Sequence, residues 1–302
     1  MAEWTVPTQD RVDVYFKELN NWGRWGNDDQ RGTVNLITPA KRQAAQALVK
    51  TGRTVSLARD VTPQPVFMYS ATFPSKRERA DVVLDRFDMV YHGFWITHVD
   101  ALCHVAWDGE LYNGRSFADS LSVAGATWCP IDPLFDGITS RGVLLDVAAG
   151  RKEGYVTVGQ PVTPKELDET ARRQGVRVEP GDVLLVRTGY YARRRAEGPR
   201  SPLKDGSPAV HVAALPWIRE RSVAMLGTDT HNDVTPLPYP KLGNALHVVS
   251  LVAMGMWLID NANLEELAQA CARYRRWEFM LTLAPLVLER VTGSPVNPIA
   301  VF

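Results

Sequence analysis

Apolar and polar positions fall along this chain in short runs that predict strands alternating with helices. Alternating or continuously apolar stretches mark strands at 54–61, 80–91, 142–147, 182–187, 222–226 and 279–288. Thr38-Pro39 puts a hydroxyl at the N-cap and a proline at the first helical position, starting a helix that ends near Gly52. Thr163-Pro-Lys-Glu166 has capping-box spacing and opens a helix closing at Gly175, while Asn263 caps another. A further helix covers 210–221 and takes in Pro216. Strands alternating with helices define the α/β class, and their spacing is too irregular for eight βα repeats. No Pro/Gly/Ser linker divides the chain, so residues 1–302 form one domain. Its first 37 residues are rich in Trp, Gly, Asn and Asp, a turn-forming composition. Trp22 and Trp25 need cover there, so this segment is expected to pack on the functional site or a neighbouring subunit.

Composition narrows the picture mainly by exclusion. At 302 residues, 45% hydrophobic and 23% charged, the chain can bury a sizeable core. Lys plus Arg equal Asp plus Glu at 34 each, so no global field draws in nucleic acid or an anionic membrane. The one basic cluster, Arg193 to Arg195, is followed by Glu197 and reads as a solvated loop. Three cysteines without CxxC spacing suit a reducing compartment and exclude a disulfide framework or zinc ribbon. No charged and then apolar leader opens the sequence, and the longest apolar stretch, 248–259, falls short of the about 20 residues that span a bilayer. A cytoplasmic location is the expectation.

The chemistry is concentrated in Tyr91-His-Gly-Phe-Trp-Ile-Thr-His-Val-Asp-Ala-Leu-Cys-His104, which holds three of the six histidines. His98 and Asp100 are two apart, so on an extended backbone both project to one face and make most of an open metal site. His104 lies four beyond Asp100 and can serve as a further ligand or as a general base. Asp100 sits among Val99, Ala101 and Leu102, and a carboxylate buried there needs a cation or donors. His247 and Asp260 interrupt a later apolar stretch. Thr228-Asp-Thr-His-Asn-Asp233 follows a strand, where sites in α/β folds usually lie. Each has a bland alternative: a satisfied core histidine for His247, a turn residue for Asp260, loop capping for Asp229 and Asp233. Cys103 and His104 are adjacent and point apart, which argues against a Cys–His nucleophile. The sequence has no G-x-S-x-G, H-E-x-x-H, P-loop or G-x-G-x-x-G motif.

Thr97-His-Val-Asp-Ala-Leu-Cys-His104 resembles the T-H-x-D-x-x-x-H signature of the cyclase family, which includes kynurenine formamidase and isatin hydrolase. The segments from Trp25, from Gly181, from Leu246 to Asp260 and from Gly293 to the end are similar to its longer members. The resemblance implies a swivelling β/β/α fold with a mixed central sheet and flanking helices. It also implies a homo-oligomer (dimer or tetramer) and a zinc or manganese site. It maps His98 and Asp100 onto metal ligands, His104 onto the general acid/base, and His247 and Asp260 onto the later ligands. One position departs: where the family carries a metal-binding histidine four residues before the signature histidine, this chain has Phe94.

These residues point to hydrolysis of an amide, lactam or ester bond by one divalent ion, Zn or Mn. Trp22, Trp25, Phe94 and Trp95, with His92, Asp229 and His231, are the expected surroundings of a small aromatic or cyclic substrate. Two other readings stay open while a ligand is missing at position 94. One is a metal-free relative that binds a small molecule; the other is acid/base cyclisation or dehydration by His104 with Asp100 or Asp229.

Overall fold

Nine strands form one mixed sheet, and its polarity decides where the functional groups meet. The computed structural model describes residues 6–61, 67–73, 82–198, 200–236 and 239–302. In chain order the strands are β1 (Thr54–Ser56), β2 (His98–Asp100), β3 (Ile138–Asp146), β4 (Val183–Arg187), β5 (Met225–Thr228), β6 (Trp257–Asp260), β7 (Glu278–Leu283), β8 (Gly293–Pro295) and β9 (Ile299–Val301). Their spatial order is β1-β9-β7-β3-β4-β5-β6-β2-β8. The four central strands β3 to β6 run parallel, with Gly142 beside Val183, Val183 beside Met225 and Met225 beside Trp257. Val183 to Val186 are all buried, the continuous apolar run expected of a parallel strand covered on both faces. Antiparallel strands complete the sheet on both sides.

Several helix ends follow the sequence signals. Thr38 Oγ1 accepts from the Lys41 amide, and Thr163 and Glu166 form the full capping box, with Gly175 closing that helix in the left-handed conformation. Other expectations shift. The helix opened at Thr38 stops at Gln46, and β1 is three residues long, because after Leu57 the chain runs to Thr97, whose hydroxyl the Arg59 amide meets at 2.9 Å. The described part of the 80–91 strand is Val82–Asp88, in a separate hairpin with Phe67–Phe73. The expected 222–226 strand begins only at Met225, since Ser222 has φ +51 and closes the preceding turn. The expected helix over 210–221 runs as a 3-10 turn at Val212–Ala214 leading into an α-helix at Leu215–Glu220, which places Pro216 in the first α-helical turn, where its missing N–H costs little. Beyond Leu283 the strand stops short of Pro285, which cannot donate to a ladder. Arg193 to Arg195 lie on a helix, Tyr190–Glu197, and not in a loop; the preceding strand delivers the chain there and Arg193 pairs with Glu197 at 3.0 Å.

The N-terminal segment packs behind the site. The Trp22 indole donates to Val252 O at 2.7 Å, the Asn21 amide to Ala253 O at 2.9 Å, and Thr33 to Gly255 O. Gly32 has φ +55, and a Cβ there would stand 2.0 Å from Gly255 O. Gly32→Ala is therefore expected to destabilise the protein by about 1–2 kcal/mol of left-handed strain and about 1–3 kcal/mol of overpacking. Denaturant unfolding measures this; an unchanged midpoint would show that the segment can lift away freely.

Candidate metal and catalytic site

Three antiparallel residues set the geometry. Strand β2 pairs with β6 so that His98 stands opposite Asp260 and Asp100 opposite Leu258. Because side chains alternate along a strand, His98 and Asp100 share one face, at the carboxyl ends of the parallel strands. Thr97 fastens the entry to β2. Its hydroxyl donates to Asn261 O at 2.8 Å and accepts from the Arg59 amide at 2.9 Å. His247 arrives from a short helix, Ala245–Val248, that passes into a π-helical turn over Val249–Met254. The Asp233 carboxylate accepts from the Leu246 amide at 2.8 Å, from the His247 amide and from His247 Nδ1.

Three of the four proposed ligands, His98, His247 and Asp260, are tethered by a far atom and present a near one. His98 donates from Nδ1 to Ile96 O at 2.8 Å, leaving the Nε2 lone pair toward the site. His247 is held likewise by Asp233 and also presents Nε2. Asp260 Oδ1 accepts from Asn232 at 2.5 Å, which leaves Oδ2. His98 Nε2 is 3.3 Å from Asp100 Oδ1 and 3.9 Å from Asp260 Oδ2; His247 Nε2 is 3.2 Å from Asp100 Oδ2 and 3.5 Å from Asp260 Oδ2. Neighbouring donors around one ion at about 2.0–2.2 Å stand about 3.0–3.5 Å apart. Asp100 is 0% exposed, yet neither of its oxygens has a properly aligned hydrogen-bond donor among the described residues. A buried carboxylate in that state, ringed by imidazole nitrogens, fits a divalent cation.

The electrostatics agree. Burial alone would pull the His98 imidazolium down, but Asp100 and Asp260 outweigh it and push its pKa up to about 8. His247 is likewise raised well above the usual histidine value against its burial, by Asp260, Asp100 and Asp233. Asp100 is held well below the carboxylate range: burial opposes this, and His98, His104, His247 and His92 prevail. A field that holds protons on two buried imidazoles also attracts a metal cation, which competes with those protons. His104 behaves differently. Burial, with His92, His247 and His98 as like-charge neighbours, pulls it down to about 4 despite Asp100, so it is neutral at pH 7.

His92 occupies a place that the sequence spacing leaves uncertain. Residues 92–96 form a bend, with Gly93 at φ +124, and this carries His92 back to the cluster. His92 Nδ1 lies 2.9 Å from Asp100 Oδ1, and its ring stacks on His104 at 3.8 Å and 3°. His92, His98 and Asp100 thus make one group able to hold an ion, and Asp100, His247 and Asp260 make another, the two sharing Asp100. Phe94, at the departed position, meets the His231 ring edge-on at 4.6 Å. Trp95 is 38% exposed. His231 is buried, bonded to Thr235 Oγ1 and pushed down to about 4 by burial. Asp229 spends one oxygen on the Thr188 amide and hydroxyl. Trp22 and Trp25 belong to the N-terminal segment. Trp22 bonds to Val252 O and Trp25 stacks on Arg24, and among the described residues neither shares a hydrogen bond or ring contact with the cluster. Cys103 is buried and its thiol is pushed up to about 12 by burial, which suits an inert residue.

Sequence reasoning singled out the 228–233 cluster but not the partners of its members: Asp233 stands behind His247 and Asn232 behind Asp260, and the Asn261 amide holds Gly93 O at 2.6 Å. Asp233 and His247 are 14 residues apart with no local pattern linking them. Asp233→Asn removes the acceptor that fixes the His247 tautomer, and metal affinity is expected to fall about 10–100-fold. Competition with a metal indicator checks it; unchanged affinity would remove Asp233 from this role.

Fold and cluster together define an α/β protein with a buried His/Asp site able to hold a metal at the strand ends. The chain belongs to the cyclase family. The Cyclase family model matches residues 20–232. A crystal structure described as a novel cyclase superimposes with a TM-score of 0.85 at 30% identity, covering 95% of this chain and 99% of that one. Isatin hydrolase A from Labrenzia aggregata, bound to benzyl benzoate, shares the fold with a TM-score of 0.58 at 22% identity, covering 85% and 94% of the two chains. The Ralstonia solanacearum isatin hydrolase A gives 0.59 at 21% identity, covering 87% and 97%. No curated protein matches by sequence. Among the described residues no helix is long and apolar enough to cross a membrane.

Proposed function

We propose that this chain is a metal-dependent hydrolase that opens an amide, lactam or ester bond of a small aromatic or cyclic substrate. The observation that carries the reading is Asp100, fully buried and without an aligned donor at either oxygen, among four imidazoles. His98, Asp100, His247 and Asp260 would hold one zinc or manganese ion, with His92 beside them where the family's histidine is replaced by Phe94. Such an ion, when bound, polarises a carbonyl and acidifies water.

The remaining work belongs to the chain's own groups. Burial pulls the His104 imidazole down toward its neutral form, and its side chain is 26% exposed with Nε2 4.0 Å from Asp100. It accepts a proton from the attacking water and returns it to the leaving nitrogen or oxygen. The stacked His92 ring fixes the His104 plane. Asp233 and Asn232 hold His247 and Asp260 in position. Phe94 and Trp95 offer flat apolar surface to the substrate. Isatin hydrolases have the same fold, which supports a hydrolase of this general kind.

A panel of aryl amides, lactams and esters tests this. Turnover of at least one member is expected to fall to background after exhaustive chelation and to return with zinc or manganese. Turnover that survives chelation would overturn the proposal in favour of metal-free acid/base chemistry.

A further inference from the structure

Two arginines near the site lack the partners that arginines elsewhere on the sheet possess. Arg141 meets Glu179, Asp182 and Glu278, and Arg187 meets Asp146 and Glu265. Arg59 and Arg194 have no carboxylate within ion-pair distance among the described residues. Both instead converge on one neutral atom, Phe94 O. Arg59 Nη1 donates to it at 3.0 Å and Arg194 Nη1 reaches it at 3.5 Å, the limit of a hydrogen bond. Arg59 is buried, and its Nη2 donates to Asp229 O at 2.6 Å. Both Nε atoms are buried without a hydrogen-bond partner.

The two positions differ in access. Arg59 is enclosed, and its guanidinium also stacks on Tyr191 at 4.5 Å. Arg194 is half-buried on the Tyr190–Glu197 helix, its guanidinium carbon 4.3 Å from the Trp95 ring and 5.8 Å from that of Tyr190. Trp95 thus packs on the guanidinium, whose Nε is buried, and the outer end with Nη2 has no protein acceptor among the described residues. An arginine stacked on rings with a free edge is pre-organised for a planar carboxylate. The loop it touches runs directly from His92 to His98, two members of the cluster. Burial, and then Arg194 as a like-charged neighbour, pull the Arg59 guanidinium down to about 10, which an incoming anion would reverse.

We propose that Arg194, backed by the field of Arg59, is the specificity-determining residue of this site and receives a carboxylate carried by the substrate. The preferred substrates are then anionic aryl amides, lactams or esters over their neutral counterparts. The chemistry of this inference rests on the hydrolase reading; the binding it asserts is measurable without turnover.

The test compares 2-formamidobenzoate with formanilide, which lacks the carboxylate, by calorimetric titration of the zinc-loaded full chain carrying His104→Ala. The carboxylated probe is expected to bind about tenfold or more tightly than the neutral one. Adding Arg194→Gln should bring the two affinities together, and Arg194→Lys, which keeps charge but loses the fork, should fall between. If the glutamine variant does not fold, the drop in preference in the lysine variant is the deciding readout. A preference that survives both substitutions, or no preference in the parent, overturns the inference. Turnover of formanilide by the native chain without any carboxylate preference would sink the inference and leave the hydrolase reading standing. Preference without turnover of either probe by the native chain would uphold the inference and count against hydrolysis of this substrate class.

Discussion

Alanine in place of His104 lowers turnover by about 10²–10⁴-fold, the usual contribution of a positioned acid/base group, and leaves the metal in place. The separation of these two effects follows from the geometry. His98, Asp100, His247 and Asp260 are almost fully buried, and each of the two histidines and Asp260 has a far atom tied to a partner of its own. His104 has no such tether: its Nε2 stands 4.0 Å from Asp100 and its ring rests on His92. Its removal opens the mouth without disturbing the donors behind it. Metal content and kcat measured on the same preparation decide the matter. Unchanged kcat would remove the acid/base assignment, and loss of the ion together with the ring would make His104 a ligand.

Asparagine in place of Asp100 has the larger effect, abolishing metal binding and all metal-dependent turnover. The side chain keeps its shape, so packing around Val99, Ala101 and Leu102 is preserved and the protein is expected to fold. What disappears is the negative charge facing His92, His98 and His104 from one oxygen and His247 from the other. Asp260 alone then faces two imidazoles and cannot by itself compensate a divalent charge. A variant that folds, as judged by circular dichroism, and still holds the ion would show that the cluster does not depend on its central carboxylate.

The site was legible in the sequence where its geometry is local. His98 and Asp100 are two residues apart on a strand, and period-two alternation alone puts them on one face. Asp100 among apolar neighbours signalled burial, and it is fully buried. The capping signals at Thr38 and Thr163 and the parallel strands at 142 and 182 were readable for the same reason, since each is a local rule. His92 was expected beside the substrate, and its approach to Asp100 was not foreseen, because the bend at Gly93 carries it back and one backbone angle at a glycine is invisible to periodicity. The 228–233 cluster was singled out, but the supporting roles of Asp233, Asn232 and Asn261 were not readable because they are joined to His247, Asp260 and Gly93 only by the tertiary fold. Arg194 was misread for a related reason. Three consecutive arginines look solvated, yet on a helix one of them turns inward between two aromatic rings.

The most direct measurement is the metal content per chain by elemental analysis, on protein purified without a histidine tag, with the Asp100→Asn variant beside it. About one equivalent of zinc or manganese in the native chain and none in the variant is the expected result. A native chain that stays metal-free after incubation with both ions would contradict the central claim and show that Phe94, at the departed ligand position, has dismantled the site despite His92.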